Sequence, residues 1–396
     1  MNNPLSARQI FEKSQKLGDL KPTYSFSGFL TAMSVFLTLL TSLLLPATVS
    51  QSSLAVPLAW ITSIVCMVLF WFQGLRFIFI FIVSLTFIFS ISVTGSPLIF
   101  ALCFGSVLAV AFGALPICVG GRLQIALISV CPLLSFGMSF LITEDPILSA
   151  LSLALYPTVF ALAIAKRKKA SANFRVLVSA IALILTLAIP SLLYLLVTYG
   201  SISASIIKNE TDLFVTLALN LAKNMVSANG TVWTEPIQRE FLSLINTYIN
   251  LLSGFVCLFA TVFAYISQSI LNSVCKNYGL EDNNKISPSM LGAMIFTVAH
   301  TISFTTNASG EISFAATVCN NICLILLPAM FLVGIETIKM LPRRFGFFGL
   351  ILIIALFIVI FTMSSSFVYM IAFVGTAYVI ASSIDTWAKN FYKNKS

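Results

Sequence analysis

The order of apolar and polar positions dominates this chain: long hydrophobic runs are punctuated by short clusters of charge. Runs of about the length a helix needs to cross a bilayer occur at 26–45, 57–73, 77–94, 97–115, 123–142, 146–165, 176–199, 241–268, 289–306, 312–335, 345–363 and 367–384. Residues 345–384 carry no charge. As one helix they would reach roughly 60 Å, about twice the hydrocarbon core, so Ser364-Ser365-Ser366 is the expected turn. The segment 200–240 differs. Leu213, Phe214, Leu217, Leu221 and Met225 recur at helical spacing among Asp212, Asn220, Lys223 and Asn224, which predicts an amphipathic helix at an interface or over a cavity mouth. The expected organisation is a tail at 1–25, a first bundle of seven spans at 26–199, this outward-facing segment, a second bundle of five spans at 241–384, and a basic tail at 385–396. The predicted fold is therefore all-α: a polytopic transmembrane helix bundle of about twelve spans, within a range of ten to twelve.

Composition agrees. Of 396 residues, 59% are hydrophobic and 9% charged, and the mean hydropathy is +1.02. A soluble globule could not cover its surface with so few polar groups, which excludes soluble enzymes, secreted disulfide scaffolds and disordered regulators. Alternating the loops places 19 of the 22 Lys and Arg on one side, leaving Lys208, Lys223 and Arg239 on the other. By the positive-inside rule both termini are expected in the cytoplasm, in a multi-pass protein of the cell membrane. The net charge of +9 then reflects topology and attraction to anionic lipid rather than nucleic acid. Residues 1–25 are polar and the first apolar run is of full span length, the pattern of an anchor rather than a cleaved leader. None of the eight cysteines falls in an outward loop, so no disulfide framework is expected.

Two groups of residues stand out as candidates for function. Ala101, Gly105, Ala109 and Gly113 are spaced four apart. This small-residue ridge lets helices approach closely, as an internal packing seam or as a docking face for a second subunit. The second group is polar: Thr297, His300, Thr301 and Thr305 in the ninth run, Asn320 and Asn321 in the tenth, and Asn246 and Asn250 in the eighth. Buried amides and hydroxyls are costly in hydrocarbon unless each other, water or a ligand satisfies them. These residues therefore predict either a polar substrate cavity or interhelical hydrogen bonding. His300 is the single histidine, so proton coupling or packing are its two readings. The sequence has no GxxxxGK[ST], HExxH or GxSxG, and no carboxylate pair is set for acid–base work. No catalytic residue, metal or cofactor is expected, although Cys319 and Cys323 are four apart, a spacing that needs further ligands to hold a metal.

Gly113-Ala114-Leu115-Pro116 leading to Gly120-Gly121-Arg122, Ala264-Tyr265-Ile266 before a loop ending at Pro288, Asn321-Ile322 to Leu326-Leu327-Pro328 with Gly334, and Ile384-Asp385-Thr386-Trp387 together resemble the YybS-like family of bacterial polytopic membrane proteins. That family is itself similar to the substrate-binding S-components of energy-coupling-factor transporters. The resemblance implies capture of a small molecule by a membrane helix bundle that borrows an ATPase module as partner. The other expectation is a membrane scaffold or assembly factor acting through helix docking. The two rank variants oppositely. Transport predicts that Asn320→Ala and His300→Ala abolish function while Gly105→Leu is milder; docking predicts the reverse, and complementation of a deletion strain distinguishes them.

Overall fold

The computed structural model describes residues 24–72, 77–228, 232–276, 278, 280, 286–308, 314–345 and 367–393. Among them every regular element is helical. Chain order gives α1 Tyr24–Val49, α2 Ala55–Phe72, α3 Phe77–Thr94, α4 Leu98–Val119, α5 Arg122–Thr143, α6 Pro146–Arg167 and α7 Ala172–Tyr199. These are followed by α8 Ala204–Ala228, α9 Glu235–Asn250, α10 Leu252–Lys276, α11 Met290–Ala308, α12 Phe314–Phe345 and α13 Phe367–Lys393. Eight of the helices (α1, α4 to α7, α10, α12 and α13) are long and apolar enough to cross a membrane. The expected span at 345–363 lies outside the described residues, apart from Phe345 closing α12.

The chain forms two compact units, Met1–Ser191 with Phe263–Asn284, and Leu192–Val262 with Lys285–Ser396. The boundaries fall inside α7 and α10 rather than at the 200–240 segment.

In the first unit α1 is central and packs on α2, α4, α5 and the 3-10 turn Leu151–Leu153 that interrupts α6. Its inward face is built from hydroxyl residues. Ser34, Thr38, Thr41 and Ser42 each donate to the carbonyl four residues back, at 2.6–2.7 Å, so hydroxyls that hydrocarbon would penalise are satisfied within their own helix. They meet the predicted ridge. Ala101 and Ala109 are fully buried, and a Cβ on Gly105 or Gly113 would lie 2.9 Å from Thr62 or 3.0 Å from Thr38. All four ridge residues therefore serve the internal packing seam, and none offers a surface to a second subunit. Around it Leu37, Leu69, Leu108, Phe112, Val159 and Leu271 form the core. A π-helical turn, Ala101–Gly105, lies where the ridge begins. The start of α6 is set locally: the Asp145 carboxylate accepts from the Ile147 and Leu148 amides at 2.7 and 3.3 Å, and Pro146 sits in the first turn, as helix N-termini prefer.

In the second unit α11, α12 and α13 pack on one another over Phe296, Ala299, Leu327, Met330, Val333 and Ala372. The closest approach is between α12 and α13. A Cβ on Gly334 would collide with the Ile371 carbonyl, and one on Gly375 with the Met330 carbonyl, so the two backbones touch at this crossing. Such contact is how helices associate where burying apolar surface gains nothing.

The expected amphipathic helix is α8, and it pairs with α9 as a hairpin. This corrects one boundary. The apolar run 241–268 is not a single helix, because the chain breaks at Leu251. Most of its first half belongs to α9, where Ile237, Phe241, Ile245 and Ile249 are half-buried along one side while Gln238, Asn246 and Asn250 are exposed on the other. The period of α9 is amphipathic although its apolar content resembles a span. Asn209-Glu210-Thr211 is helical within α8, and the Tyr199 hydroxyl donates to Glu210, tying the end of α7 to it.

The α12–α13 crossing gives a sharp expectation. Gly375→Leu should abolish a monodisperse detergent-solubilised species, and Gly375→Ala should cost about 1–3 kcal/mol from overpacking. Gly137→Ala, with open space around its Cβ, should be neutral or slightly stabilising. Thermal melts of the three purified variants check the order.

Candidate functional site

The predicted polar residues of the second unit separate into distinct roles. Asn321 does the most. Its Oδ1 accepts from the Gly254 amide at 2.7 Å and the Ser253 hydroxyl at 3.0 Å, and its Nδ2 donates to the Asn250 and Thr317 carbonyls, each at 3.0 Å. It therefore satisfies the last turn of α9 and the first turn of α10 together, the backbone groups that helix ends leave unpaired. Gly254 is required for this approach, since a Cβ there would lie 2.7 Å from Asn321 Oδ1. Asn320 accepts a hydrogen bond from Ser303, linking α12 to α11.

His300 sits among aromatic rings: Phe373 with centroids 4.8 Å apart, Tyr369 at 5.1 Å and Phe296 at 6.3 Å. Thr297, Thr301 and Thr305 each donate to the carbonyl four residues back, at 2.9–3.0 Å, and the latter two are exposed. Asn246 is exposed on α9, and Asn250 contributes its backbone carbonyl rather than its amide. The structure thus brings Asn320, Asn321 and the carbonyl of Asn250 into helix-joining hydrogen bonds. It leaves Asn246 and the threonine face outside them.

The first unit holds groups that the sequence reading missed. Lys166, which opens the basic run Lys166-Arg167-Lys168-Lys169, is 5% exposed and donates to the Asn272 side chain. Arg175 is 1% exposed, and Gln268 is equally buried with no hydrogen-bond partner for either amide atom. Gln268 and Asn272 are spaced four apart in a run that carries no charge from 241 to 275, a signal that was present in the sequence.

The same unit contains a cleft of about 720 Å³ where α1, α4 and α5 converge near the 120–122 turn. Its apolar lining is Leu30, Leu115, Pro116, Val119, Leu123 and Leu127; the polar lining includes Thr31, Arg122, Gln124 and Tyr278. Among the described residues, Arg122 is the one charged residue in the lining and no carboxylate faces it there. The turn is built locally. The Gly120 amide donates to the Pro116 carbonyl at 2.8 Å, ending α4, and the Gly121 amide donates to Gln124 Oε1 at 3.0 Å, opening α5. A Cβ on Gly120 would strike Gln124 and the Pro116 carbonyl, whereas one on Gly121 meets nothing within 4 Å. Gly121 has no side chain to cap the first-turn amides of α5, which keep their partial positive charge. The Tyr278 phenol, protonated at neutral pH like any tyrosine and raised further by burial, followed by the neighbouring Cys275, can donate.

Helices of this length and apolarity in these numbers define a multi-pass helical membrane protein, in contact with the lipid bilayer through its exposed apolar side chains. Compared with protein-family models, curated proteins and solved structures, the chain matches none.

The hydrogen bonds of Asn321 set an expectation for stability. Asn321→Leu should destabilise the fold by about 1–3 kcal/mol, the cost of stranding part-buried partners, while Thr301→Val and Thr305→Val should lie within about 0.5 kcal/mol of wild type. Unfolding in mixed detergent, followed by tryptophan fluorescence, measures the difference.

Proposed function

We propose that this is a non-catalytic membrane protein that binds or transports a small molecule, and that its ligand site is the cleft bounded by α1, α4 and α5. The observation carrying this reading is the cleft's make-up: a volume of about 720 Å³ with a mainly apolar wall and, among the described residues, one cation and no carboxylate, within the size and character of ligand pockets. Such a lining is suited to binding rather than acid–base chemistry. We prefer it to a cavity among α9 to α12 because the Asn320 and Asn321 amides there are engaged with Ser303, Ser253 and backbone groups.

The topology we assign has twelve spans. The eight long helices, the shorter apolar helices α2, α3 and α11, and the run at 345–363 together supply them. The amphipathic hairpin α8–α9 lies outside the membrane on the outward face. Both termini and the 120–122 turn are then cytoplasmic in a cell-membrane protein, following the basic residues. Kinship with YybS-like proteins and S-components would add a borrowed ATPase module.

Purification of the full chain in mild detergent, with mass spectrometry of retained small molecules and co-purifying proteins, tests the reading. A retained molecule that is lost in Ala32→Trp, at an exposed cleft-lining position, with an unchanged melt, supports it; co-purifying ATPase subunits would support the S-component-like form. An empty cleft together with division, wall or secretion proteins favours a scaffold and sinks it. For topology, a membrane-impermeant maleimide should label Asn209→Cys from outside intact cells and fail to label Lys168→Cys.

A further inference from the structure

The cleft's lining is graded, and this specifies its ligand more narrowly than size does. At the 120–122 turn the lining is polar, with the Arg122 guanidinium, the uncapped start of α5, the Gln124 side chain and Tyr278. The rest of the wall is apolar, with Leu30, Leu115, Pro116 and Val119 leading to Leu123 and Leu127.

Leu123 and Leu127 are 75% and 48% exposed. They begin a stripe that continues through exposed Val130, Leu134, Met138 and Leu141, spaced three and four apart and thus on one face of α5. In a membrane-spanning helix an exposed stripe of this kind faces hydrocarbon. The cleft is therefore continuous with the lipid-facing surface of α5, so that a chain lying along this stripe would place its head against Arg122. An aqueous metabolite would need no such side opening.

The polar end favours an anion. Among the described residues Arg122 has no ion pair, and none of them places a carboxylate against it in the cleft. Arginine presents several N–H donors in a planar fork that matches phosphate oxygens. The first-turn amides of α5 add donors of the same sign, and the hydroxyl of Tyr278, which lines the cleft, adds another.

We infer that the cleft binds a phosphate-bearing amphiphile of the inner leaflet, with its phosphate on Arg122 and the start of α5 and its hydrocarbon chain along Leu123, Leu127 and the stripe beyond. This rests on the small-molecule reading above and names the ligand class of that site. A glycerophospholipid and a polyprenyl monophosphate share the required chemistry.

The test is native mass spectrometry of the full chain, delipidated in detergent and titrated separately with phosphatidylglycerol, a polyprenyl monophosphate, diacylglycerol and inorganic phosphate. Five variants accompany it. Arg122→Gln removes the cation and should weaken the phosphate amphiphile about tenfold, the scale of one charge-assisted contact. Gly121→Asp fits the open space at that position and caps α5 as N-termini prefer, so it should fold at least as stably as wild type. Its carboxylate should nevertheless expel the phosphate. Gly121→Asn caps without charge and should retain most of the binding. Arg239→Gln, in an exposed pair with Glu235 on α9, is the charge-loss control and should bind as wild type. Ala32→Trp fills the cleft and should block every ligand.

Tighter binding of phosphatidylglycerol or of the polyprenyl phosphate identifies the source, and either result with the stated variant order supports the inference. Three results overturn it. Diacylglycerol binding as well as phosphatidylglycerol, insensitive to Arg122→Gln but blocked by Ala32→Trp, would leave a ligand site of a different class. Inorganic phosphate binding as tightly as the amphiphiles would make the chain irrelevant. Indifference of every probe to Ala32→Trp would remove the inference and the proposed site together.

Discussion

A helix already surrounded by hydrocarbon gains little by hiding another leucine, and this constraint governs how the chain packs. Association has to come from close backbone approach and from polar groups that find partners. Both compact units show the first device. In one, Gly105 and Gly113 admit the hydroxyl face of α1; in the other, Gly334 and Gly375 bring α12 and α13 into backbone contact. Bulky side chains are correspondingly numerous on the outside, as along α5. The usual sense of inside and outside is relaxed because the surrounding solvent is apolar.

The second device explains most of the polar residues within the apolar runs. Hydroxyls on α1 and α11 are satisfied by their own helices. Asparagines do what hydroxyls cannot, since an amide both donates and accepts. Asn321 uses both capacities to hold the break between α9 and α10, where an amphipathic helix gives way to one of membrane length. One amide thus fixes the junction between these two helices. The polarity of α11 and α12 is therefore largely architectural.

The cleft near the 120–122 turn follows from the same packing. Gly120 lets α4 end tightly against Gln124, and Gly121 opens α5 without a capping side chain. The close approach of α1 and α4 above this point does not continue to the turn, and a graded space remains with a cation at one end. Membrane packing thus supplies the cleft wall and its opening along α5, the two features on which the proposed capture of an amphiphile rests.

How much of this was legible varied with the physics involved. Hydropathy alone placed α1 to α7 and α11 within a few residues, together with the starts of α12 and α13, whose C-terminal ends run nine or ten residues beyond the apolar runs, because a backbone in hydrocarbon must satisfy its own hydrogen bonds and a helix does so over about twenty residues. The spacing of Leu213, Phe214 and Leu217 similarly announced α8. The break at Leu251 was not legible from apolar content, because an amphipathic helix and a span differ in period rather than in composition. Ala101, Gly105, Ala109 and Gly113 were visible as a seam, but their burial against Thr38 and Thr62 depends on which helices meet. The burial of Lys166 within a basic run was not legible, since its contact with Asn272 joins residues far apart in the chain. The sequence by itself determined an all-helical membrane protein and the positions of most of its helices, because those follow from local hydrophobicity and period. Only the tertiary structure decided that the asparagines join helices and that Arg122 faces a cleft, because hydrogen-bond partners and cavities are made by neighbours that local pattern does not specify.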